Sequence, residues 1–258
     1  MQILGVLTPL LRHRDDLGEI LTSRCRLQDG DIVIVSSKAI ATVEGADFDE
    51  TTVTPGKNAL SLALRCKQDP AFTELIIRET ERMHGSVVGT CPSVLLTSLK
   101  PDGLKTGRIL CPNAGLDHSN VQAGHVIGWP FDPVRSAKAL RQDLMKRSGK
   151  RIGVIISDSC SHPGRLGVMA FALVCAGIDP MRNDIGTSDL FSRPLQFTQE
   201  AIADQLATAA NAVMGNAAQS IPAAIVRDHG LALTDFSGWV DGIDEEDDLF
   251  RDAFVKNT

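Results

Sequence analysis

The chain has 258 residues, of which 43% are hydrophobic and 22% are charged, and its formal net charge is −6. This composition is typical of a globular protein, argues against an intrinsically disordered chain, and gives no electrostatic footprint for duplex nucleic acid. No apolar run approaches the roughly 20 residues that a membrane span needs. The basic residues near the N-terminus follow the apolar stretch, which is the wrong order for a secretory signal, so we expect a cytoplasmic protein.

Apolar patterns along the chain predict a mixture of helices and strands without internal repeats. In chain order we predict a helix at Asp16–Arg26, a strand at Asp31–Ser36, a helix from Asp69 to about Met83, strands at Ser93–Leu99 and Arg108–Cys111, a helix at Pro133–Arg147, a strand at Arg151–Ile156, a helix at Gln199–Met214 and a strand at Ala223–Val226. The run Leu166–Ile178 is apolar on nearly every side and is either a buried helix or a buried strand. The acidic stretch Asp241–Asp248 is interpreted as a solvated helix start.

The fold class follows from motifs that the sequence lacks. It contains neither a Gly-x-Gly-x-x-Gly motif nor a Walker A motif, which disfavours a doubly wound dinucleotide fold and a P-loop fold. Strands and helices do not strictly alternate, which favours an α+β chain with mixed or antiparallel sheets and flanking helices. Residues 1–258 are long enough for one large domain or for two interleaved lobes, whose boundaries the sequence does not resolve.

Cysteine and histidine patterns give little indication of chemistry. The six cysteines are scattered without a Cys-x-x-Cys pair, which disfavours a disulfide scaffold and a zinc site. We interpret most of them as buried or half-buried free thiols, and Cys160 is the exception because it lies two residues after Asp158. The histidines show no ligand spacing, and no Ser/His/Asp or Cys/His order is evident, so covalent catalysis is disfavoured.

The segment CPNAGLDHSNV, residues 111–121, crowds polar side chains into a predicted tight turn after a strand. One interpretation is an Asx-type turn, in which an Asp or Asn side chain bonds the local backbone amides. The other is a ligand site, in which Asp117 offers a hard oxygen to a cation while Asn120 contacts a ligand. From this segment alone, the turn is favoured.

The segment RIGVIISDSC, residues 151–160, is a continuous apolar strand that we expect to end abruptly at Ser157–Ser159. A carboxylate at the tip of a buried strand is held rigidly, as a metal–phosphate centre requires. The alternative is that Asp158 caps the next segment. Together, Asp117 and Asp158 indicate a Mg²⁺ or Mn²⁺ site, since such sites take one or two carboxylates plus phosphate and water.

Two further segments are candidates for nucleotide contacts. Ser36–Lys38 closes the first clear strand, where the lysine either points at phosphate or is a surface residue at a strand end. Met214–Pro222 joins a helix to a strand through small residues, and is either an ordinary turn or a loop that brings backbone amides against a nucleotide.

These motifs resemble the coenzyme F-420-0:γ-glutamyl ligase family, and the resemblance runs almost from end to end. It covers LTPLL, then DDL, DIVIVSSKAIATVEG, CPNAGLDHSNV, GKRIGVIISDS, DIGTSDLFSRPL and VMGNAAQSIPAAIVR. Members of this family are GTP-dependent, divalent-metal-dependent amide ligases that join the amine of glutamate to the carboxylate of a deazaflavin phospholactate. They are homodimers with an unusual α+β fold. The resemblance therefore implies a two-lobed subunit, Mg²⁺ or Mn²⁺, GTP as co-substrate with ATP possible, small-molecule substrates and a homodimer.

The resemblance also implies roles for matched residues. Nucleotide contacts would come from Leu7, Thr8, Pro9, Leu10, Ser37, Lys38, Asn120 and the loop of Met214, Gly215, Asn216, Ala217, Ala218, Gln219, Ser220 and Ile221. The metal ligands would be Asp117, Asp158 and Ser159, where the family usually has threonine at the last position.

Three departures from the family pattern bear on activity. Thr42 stands where the family has a phosphate-facing lysine, and Asn216 stands where the family loop supplies a metal-binding glutamate. An amide oxygen can bind Mg²⁺, but it brings no charge. In residues 159–167, histidine and leucine occupy two positions that are basic in the family. Arg165 is retained, and we take it as the first candidate for a substrate contact.

Two functional hypotheses follow. In the first, the chain is a divergent ligase that activates a carboxylate with a nucleoside triphosphate and a divalent metal, forms an acyl phosphate, and lets an amine attack it. In the second, it is a degenerate relative that binds a nucleotide or a small acid without turnover. A purely structural module is disfavoured, because it has no need of polar turns at two strand ends.

Overall fold

The computed structural model describes residues 1–251, and the fold is α+β, as predicted. The chain divides into two compact units. Unit 1 comprises Met1–Val43 and Asp132–Val240, and unit 2 comprises Glu44–Phe131 and the residues from Asp241 onward. No helix within residues 1–251 is long and apolar enough to cross a membrane.

The helices and strands have the following bounds. The α-helices are α1 Leu17–Arg24, α2 Ser37–Glu44, α3 Lys57–Cys66, α4 Pro70–Arg82, α5 Pro133–Ser148 and α6 Ile202–Met214. The strands are β1 Gln2–Val6, β2 Ile32–Ser36, β3 Asp47–Asp49, β4 Ser86–Cys91, β5 Val94–Leu99, β6 Ile109–Pro112, β7 His125–Ile127, β8 Gly153–Cys160, β9 Met169–Ala176, β10 Arg182–Asn183, β11 Gln199–Glu200, β12 Ala223–Arg227 and β13 Ser237–Trp239.

Unit 1 is organised around a six-stranded sheet in the order β1-β12-β2-β8-β9-β13. Only the central pair β2–β8 is parallel, and the other four pairings are antiparallel. Ile32, Ile34 and Ile155 point to one face of this sheet, where they pack against Ala203 and Ala207 of α6. Each fully buried isoleucine stabilises the fold by about 1.5–3 kcal/mol, so the central strands contribute strongly to the stability of the unit.

The two helices α1 and α5 belong to the same unit, and each is capped by the aspartate that precedes it. Asp16 and Asp132 each accept a hydrogen bond from a backbone amide in the first helical turn. Such caps satisfy amides that have no partner inside the helix. Gly149 ends α5 with φ +69°, a left-handed conformation that glycine adopts without steric cost.

Unit 2 combines the three-stranded antiparallel sheet β4-β5-β6 with helices α3 and α4 and the short pair β3–β7. Asp69 caps α4 and Pro70 opens it, as the sequence predicted. The acidic stretch Asp241–Asp248 itself forms turns, and the chain becomes helical only at Arg251, the last described residue. Asp241 accepts hydrogen bonds from the amides of Lys105 and Thr106, and it therefore secures the loop before β6.

Most predicted elements are confirmed, one open choice is resolved, and the start of one helix and the end of one strand were wrong. The run Leu166–Ile178 forms strand β9, which resolves the choice between helix and strand. Helix α6 begins at Ile202 rather than Gln199, because Gln199 and Glu200 pair with β10. The strand that we expected to end at Ile156 continues to Cys160, because β9 supplies a pairing partner for every residue from Ser157 onward.

Candidate functional site

Four segments that the sequence assigned to nucleotide or metal reach one edge of the sheet in unit 1. Ser36, the last residue of β2, pairs with Ser157 of the parallel strand β8. Ala223, the first residue of β12, lies opposite both Val35 of β2 and Val6 of β1. The chain ends of β1, β2 and β8 and the start of β12 therefore share an edge. We call this region the site edge, and its residues are Leu7–Leu10, Ser37–Lys38, Asp158–Ser159 and Met214–Ile221.

Helix α2 starts directly at the site edge. Ser37 follows β2 without an intervening turn and is 2% exposed, whereas Lys38 is half-buried. The first amides of a helix have no partner inside the helix and carry a partial positive charge, which favours an anion. Thr42 lies further along the same helix and is half-buried. The strand-end position of Ser37 and Lys38 is thus a helix start with anion-binding character.

Asp158 and Ser159 lie inside β8, at the point where burial of the strand ends. The five residues before Asp158 are buried, Asp158 is half-buried and Ser159 is exposed. One carboxylate oxygen of Asp158 accepts a hydrogen bond from the Ser159 amide at 2.8 Å. Because β9 pairs with both residues, the carboxylate is carried by a hydrogen-bonded ladder rather than by a loose strand tip.

The N-terminal segment and the loop before β12 are joined by backbone hydrogen bonds. The amide of Thr8 donates to the Ser220 carbonyl at 2.9 Å, and the Ser36 amide donates to the Pro222 carbonyl at 2.9 Å. Thr8 is buried, whereas Leu7 and Leu10 are exposed. The predicted nucleotide-contact segments at the site edge are therefore connected to one another within unit 1, whereas Asn120 belongs to unit 2.

Gly215 and Gln219 fix the shape of the loop that follows α6. Gly215 has φ +70°, and a side-chain Cβ there would lie 2.5 Å from Cδ of Gln219. The Gln219 Oε1 atom accepts a hydrogen bond from the Ala217 amide at 2.7 Å. The loop is thus closed on itself, and Asn216 is exposed within it. Residues 216–220 are available to a ligand at the site edge.

Arg165 lies in the eight-residue connection between β8 and β9. Its amide donates to the His162 carbonyl at 3.1 Å, which forms a turn, and the whole segment 161–168 is exposed. This connection leaves the sheet at the end that carries Asp158, so Arg165 belongs to the same end of unit 1.

Asp117 and Asn120 belong to unit 2. The two oxygens of Asp117 accept hydrogen bonds from the amide and the hydroxyl of Ser119, and the backbone of Asp117 bridges to Ile127. This geometry is the Asx-type turn that the sequence favoured. Asn120 is exposed and has φ +60°, a left-handed conformation that Asn tolerates better than most residues.

The turn before Asp117 is held from several sides within unit 2. The Asn113 side chain accepts a hydrogen bond from the Leu95 amide, so it has a structural role. The His118 ring lies 4.2 Å from the Phe72 ring and bonds Glu50 at 2.9 Å. These contacts present the Asp117 turn on a rigid support.

The donor chemistry fits a hard divalent cation. Within unit 1, Asp158 and Ser159 offer oxygen atoms, which Mg²⁺ and Mn²⁺ prefer, and within unit 2 Asp117 offers the same kind of ligand atom. Among residues 1–251, no group of three or more His, Cys, Asp or Glu side chains forms a closed metal cage. A single carboxylate such as Asp158 at the site edge matches sites in which phosphate and water complete the coordination.

Cys160 is a poor nucleophile despite its place beside this edge. Burial raises the pKa of its thiol to about 11, and the carboxylates of Asp204 and Asp158 add to the shift. The thiol therefore stays protonated at neutral pH, whereas nucleophilic cysteines need a lowered pKa. All six cysteines are free, and Cys91 is the exposed exception to the prediction of buried or half-buried thiols.

Sequence reasoning missed two features that shape the site edge. It did not predict α2, although the eight residues from Ser37 to Glu44 contain no Gly or Pro and are followed by Gly45. It also passed over Asp204, an acidic residue on the alanine-rich helix α6. Asp204 accepts a hydrogen bond from the Ala172 amide of β9, and burial raises the pKa of its carboxyl.

Comparisons with known proteins agree on one family. The sequence model of the family described as F420-0:Gamma-glutamyl ligase matches residues 5–228. A coenzyme F420:L-glutamate ligase from Archaeoglobus fulgidus is 36% identical over 219 residues, which cover 85% of this chain and 84% of the relative. The enzymes of that name from Methanopyrus kandleri and Methanocaldococcus jannaschii are 36% identical over 228 residues and 32% identical over 252 residues. The latter alignment covers 97% of both chains.

Proposed function

Because the chain belongs to the F420-0:Gamma-glutamyl ligase family, we propose that it is an amide ligase that uses GTP, or another nucleoside triphosphate, and Mg²⁺ or Mn²⁺. It joins the amine of an amino acid such as glutamate to a small carboxylic acid. The observation that carries this proposal is the convergence of four predicted ligand segments at the site edge of unit 1.

The proposed reaction has two steps. A carboxylate oxygen of the acceptor attacks the γ-phosphorus of the nucleotide, and the nucleoside diphosphate leaves, which gives an acyl phosphate. The amine then attacks the carbonyl carbon, phosphate leaves, and the amine loses a proton as the amide forms. Because phosphoryl transfer needs mainly positioning and charge neutralisation, the site requires aligned donors rather than a protein nucleophile.

Residues of the site edge have the chemistry for these tasks. The amides at the start of α2 and the Lys38 ammonium bind phosphate oxygens, while Leu7–Leu10 and Met214–Ile221 enclose the nucleotide. Asp158 and Ser159 hold the metal, which neutralises phosphate charge when bound. Arg165 contacts the acceptor carboxylate. The roles of Asp117 as a metal ligand and of Asn120 as a nucleotide contact remain predictions, which variants of each residue would test.

The proposed homodimer is supported by an exposed apolar arm in unit 1. The chain between β10 and β11 folds as a ribbon, in which the Gly186 amide donates to the Leu195 carbonyl at 2.8 Å. Leu190, Phe191 and Phe197 on this arm are 99%, 82% and 90% exposed. Large exposed apolar groups on one ribbon favour a protein contact. Light scattering should give a dimer for the wild type and a monomer for the double variant Leu190→Ser, Phe191→Ser, whereas a monomeric wild type would contradict the dimer.

A second function is favoured by one observation, namely the amide of Asn216 where the family loop supplies a carboxylate. A catalytically degenerate relative would bind nucleotide or a small acid without turnover. It would share the binding properties of the ligase but release no phosphate.

Phosphate release tests the ligase directly. The full chain is incubated with GTP or ATP, Mn²⁺, glutamate and F420-0, and the amide product is followed by mass spectrometry. We expect phosphate release that requires both glutamate and acceptor. Nucleotide binding without phosphate release would support the degenerate relative, and the absence of nucleotide binding would contradict both. Omission of the acceptor is the control for simple nucleotide hydrolysis.

A further inference from the structure

Along part of strand β9, the edge that faces away from β8 is hydrogen-bonded by a helix rather than by another strand. Within residues 1–251, β13 pairs with β9 only from Val174 to Ala176, and Val240 adds one bond to the Leu173 carbonyl. From Ala172 back to Met169, the edge of β9 that faces away from β8 therefore needs other partners. Unpaired backbone groups at a half-buried strand edge cost free energy, so the groups that bond them stabilise the strand.

Helix α6 supplies two of these partners from one face. Asp204 Oδ1 accepts a hydrogen bond from the Ala172 amide at 2.8 Å, and Thr208 Oγ1 donates to the Ala170 carbonyl at 2.6 Å. Residues four apart on a helix are separated by about 6 Å along its axis, and residues two apart on a strand by about 6.6 Å. The two spacings match, so the pair bonds α6 to β9 in one fixed register.

The two backbone groups of β9 that bond α6 belong to Ala172 and Ala170, which lie opposite the two neighbours of Asp158 on β8. Ala172 pairs with Ser157, and Ala170 pairs with Ser159, so the two bonds flank Phe171, the ladder partner of Asp158. A bulge between Ile156 and Ser157 shifts the ladder at this point, which leaves the register of the following residues more dependent on other contacts. The far end of α6 is Met214, where the proposed nucleotide loop begins.

We propose that Asp204 and Thr208 are positioning residues that fix α6 on β9, and thereby set Asp158 and the loop Met214–Ile221 in the register that metal-bound nucleotide requires. The inference rests on the proposed function, because it assigns a role in aligning the proposed metal and nucleotide sites. Burial raises the pKa of the Asp204 carboxyl, which shows that the fold keeps a carboxylate where its charge is disfavoured.

Matched variants separate the hydrogen bond from the bulk of the side chain. Thr208→Val keeps the shape of the side chain and removes the donor, whereas Thr208→Ser keeps the donor. Asp204→Ala removes the acceptor, whereas Asp204→Asn keeps an acceptor oxygen. Affinity for GTP is measured by calorimetry with and without saturating Mn²⁺, at a temperature where urea unfolding shows every variant to be folded.

We expect Mn²⁺ to strengthen GTP binding by the wild type, and this enhancement to fall roughly tenfold in Thr208→Val and Asp204→Ala, as when supporting groups around metal ligands are removed. GTP binding without Mn²⁺ should change little, and Thr208→Ser and Asp204→Asn should restore the enhancement. A wild-type enhancement that survives in Thr208→Val and Asp204→Ala would overturn the positioning role alone. A wild type that shows no Mn²⁺-dependent GTP binding would overturn the proposed function itself.

Discussion

The site edge of unit 1 and the Asp117 turn of unit 2 present the same kind of residue in different settings. Asp158 lies on strand β8 and pairs with Phe171 of β9, and Asp117 lies in an exposed turn where both of its oxygens bond Ser119. The backbone of Asp158 is thus held by a continuous ladder, whereas that of Asp117 makes one isolated bridge to Ile127 and both of its carboxylate oxygens bond Ser119.

This difference separates two reasons for the presence of a carboxylate. A turn aspartate is explained by local bonding alone, because the Asx turn needs an acceptor at that position. At Asp158 one oxygen also accepts the neighbouring Ser159 amide, but the ladder itself does not require a carboxylate, since any β-forming residue would continue it. The site edge therefore supports a ligand more strongly than the turn does, and substitutions at the two aspartates should differ in kind.

The largest effect is expected for Asp158→Asn. Removal of one metal-binding charge should lower turnover by about 100-fold or more, since a bound metal supplies several kcal/mol of transition-state stabilisation. Phosphate release with glutamate and acceptor measures this loss. Asp235→Asn, at an exposed carboxylate of the same unit, is the charge-matched control and should retain wild-type turnover. Equal turnover in both variants would remove Asp158 from the metal site.

A smaller and divided effect is expected at Asp117. Asp117→Ala removes the acceptor for Ser119 and should lower the free energy of unfolding by about 0.5–1.5 kcal/mol. Asp117→Asn keeps an acceptor oxygen and should unfold like the wild type, but should weaken Mn²⁺ binding in the presence of GTP by roughly tenfold if the carboxylate is a ligand. Urea unfolding and calorimetry distinguish the two roles. Unchanged Mn²⁺ affinity in Asp117→Asn would leave the residue with its turn role alone.

A gain of metal affinity would test whether the loop at residue 216 lies near the metal. Asn216→Glu adds a carboxylate in the exposed loop after α6, and should tighten Mn²⁺ binding in the presence of GTP by roughly tenfold, because ligand charge tunes the affinity of such sites. Asn216→Gln lengthens the side chain equally without the charge and serves as the control. Identical affinities in the two variants would show that residue 216 lies away from the metal.

The smallest effect concerns stability and pH at Asp204. Because the pKa of this carboxyl is raised above the ordinary 3.8 in the folded state, the ionised form costs stability once pH rises through the folded pKa. Asp204→Asn should therefore raise the free energy of unfolding near neutral pH, and the gain should shrink as pH falls towards 3.8. Urea unfolding of the variant and the wild type from about pH 4 to about pH 8 measures how this gain depends on pH. A gain that stays constant with pH would contradict the assignment of the shift to Asp204.

The sequence predicted locally determined features well, whereas features that depend on strand pairing could not be predicted from it. The cap at Asp69, the strand at β2 and the Asx turn at Asp117 follow from local patterns, and the structure confirms them. The continuation of β8 through Asp158 depends on pairing with β9, which comes from a run that local periodicity leaves ambiguous. The convergence of residues 7–10, 37–38, 158–159 and 214–221 depends on strand order, which the sequence pattern alone does not encode.

The most direct test of the account is the thermal unfolding of the full chain with GTP, with Mn²⁺, and with both together. Metal-dependent nucleotide binding predicts a shift in the combined sample that exceeds the sum of the separate shifts, and a ligand at 100 times its Kd stabilises the fold by about 2.7 kcal/mol. ATP in place of GTP compares the two nucleotides in the same experiment. The absence of any shift with either nucleotide, in the presence or absence of Mn²⁺, would contradict a nucleotide–metal site at the site edge.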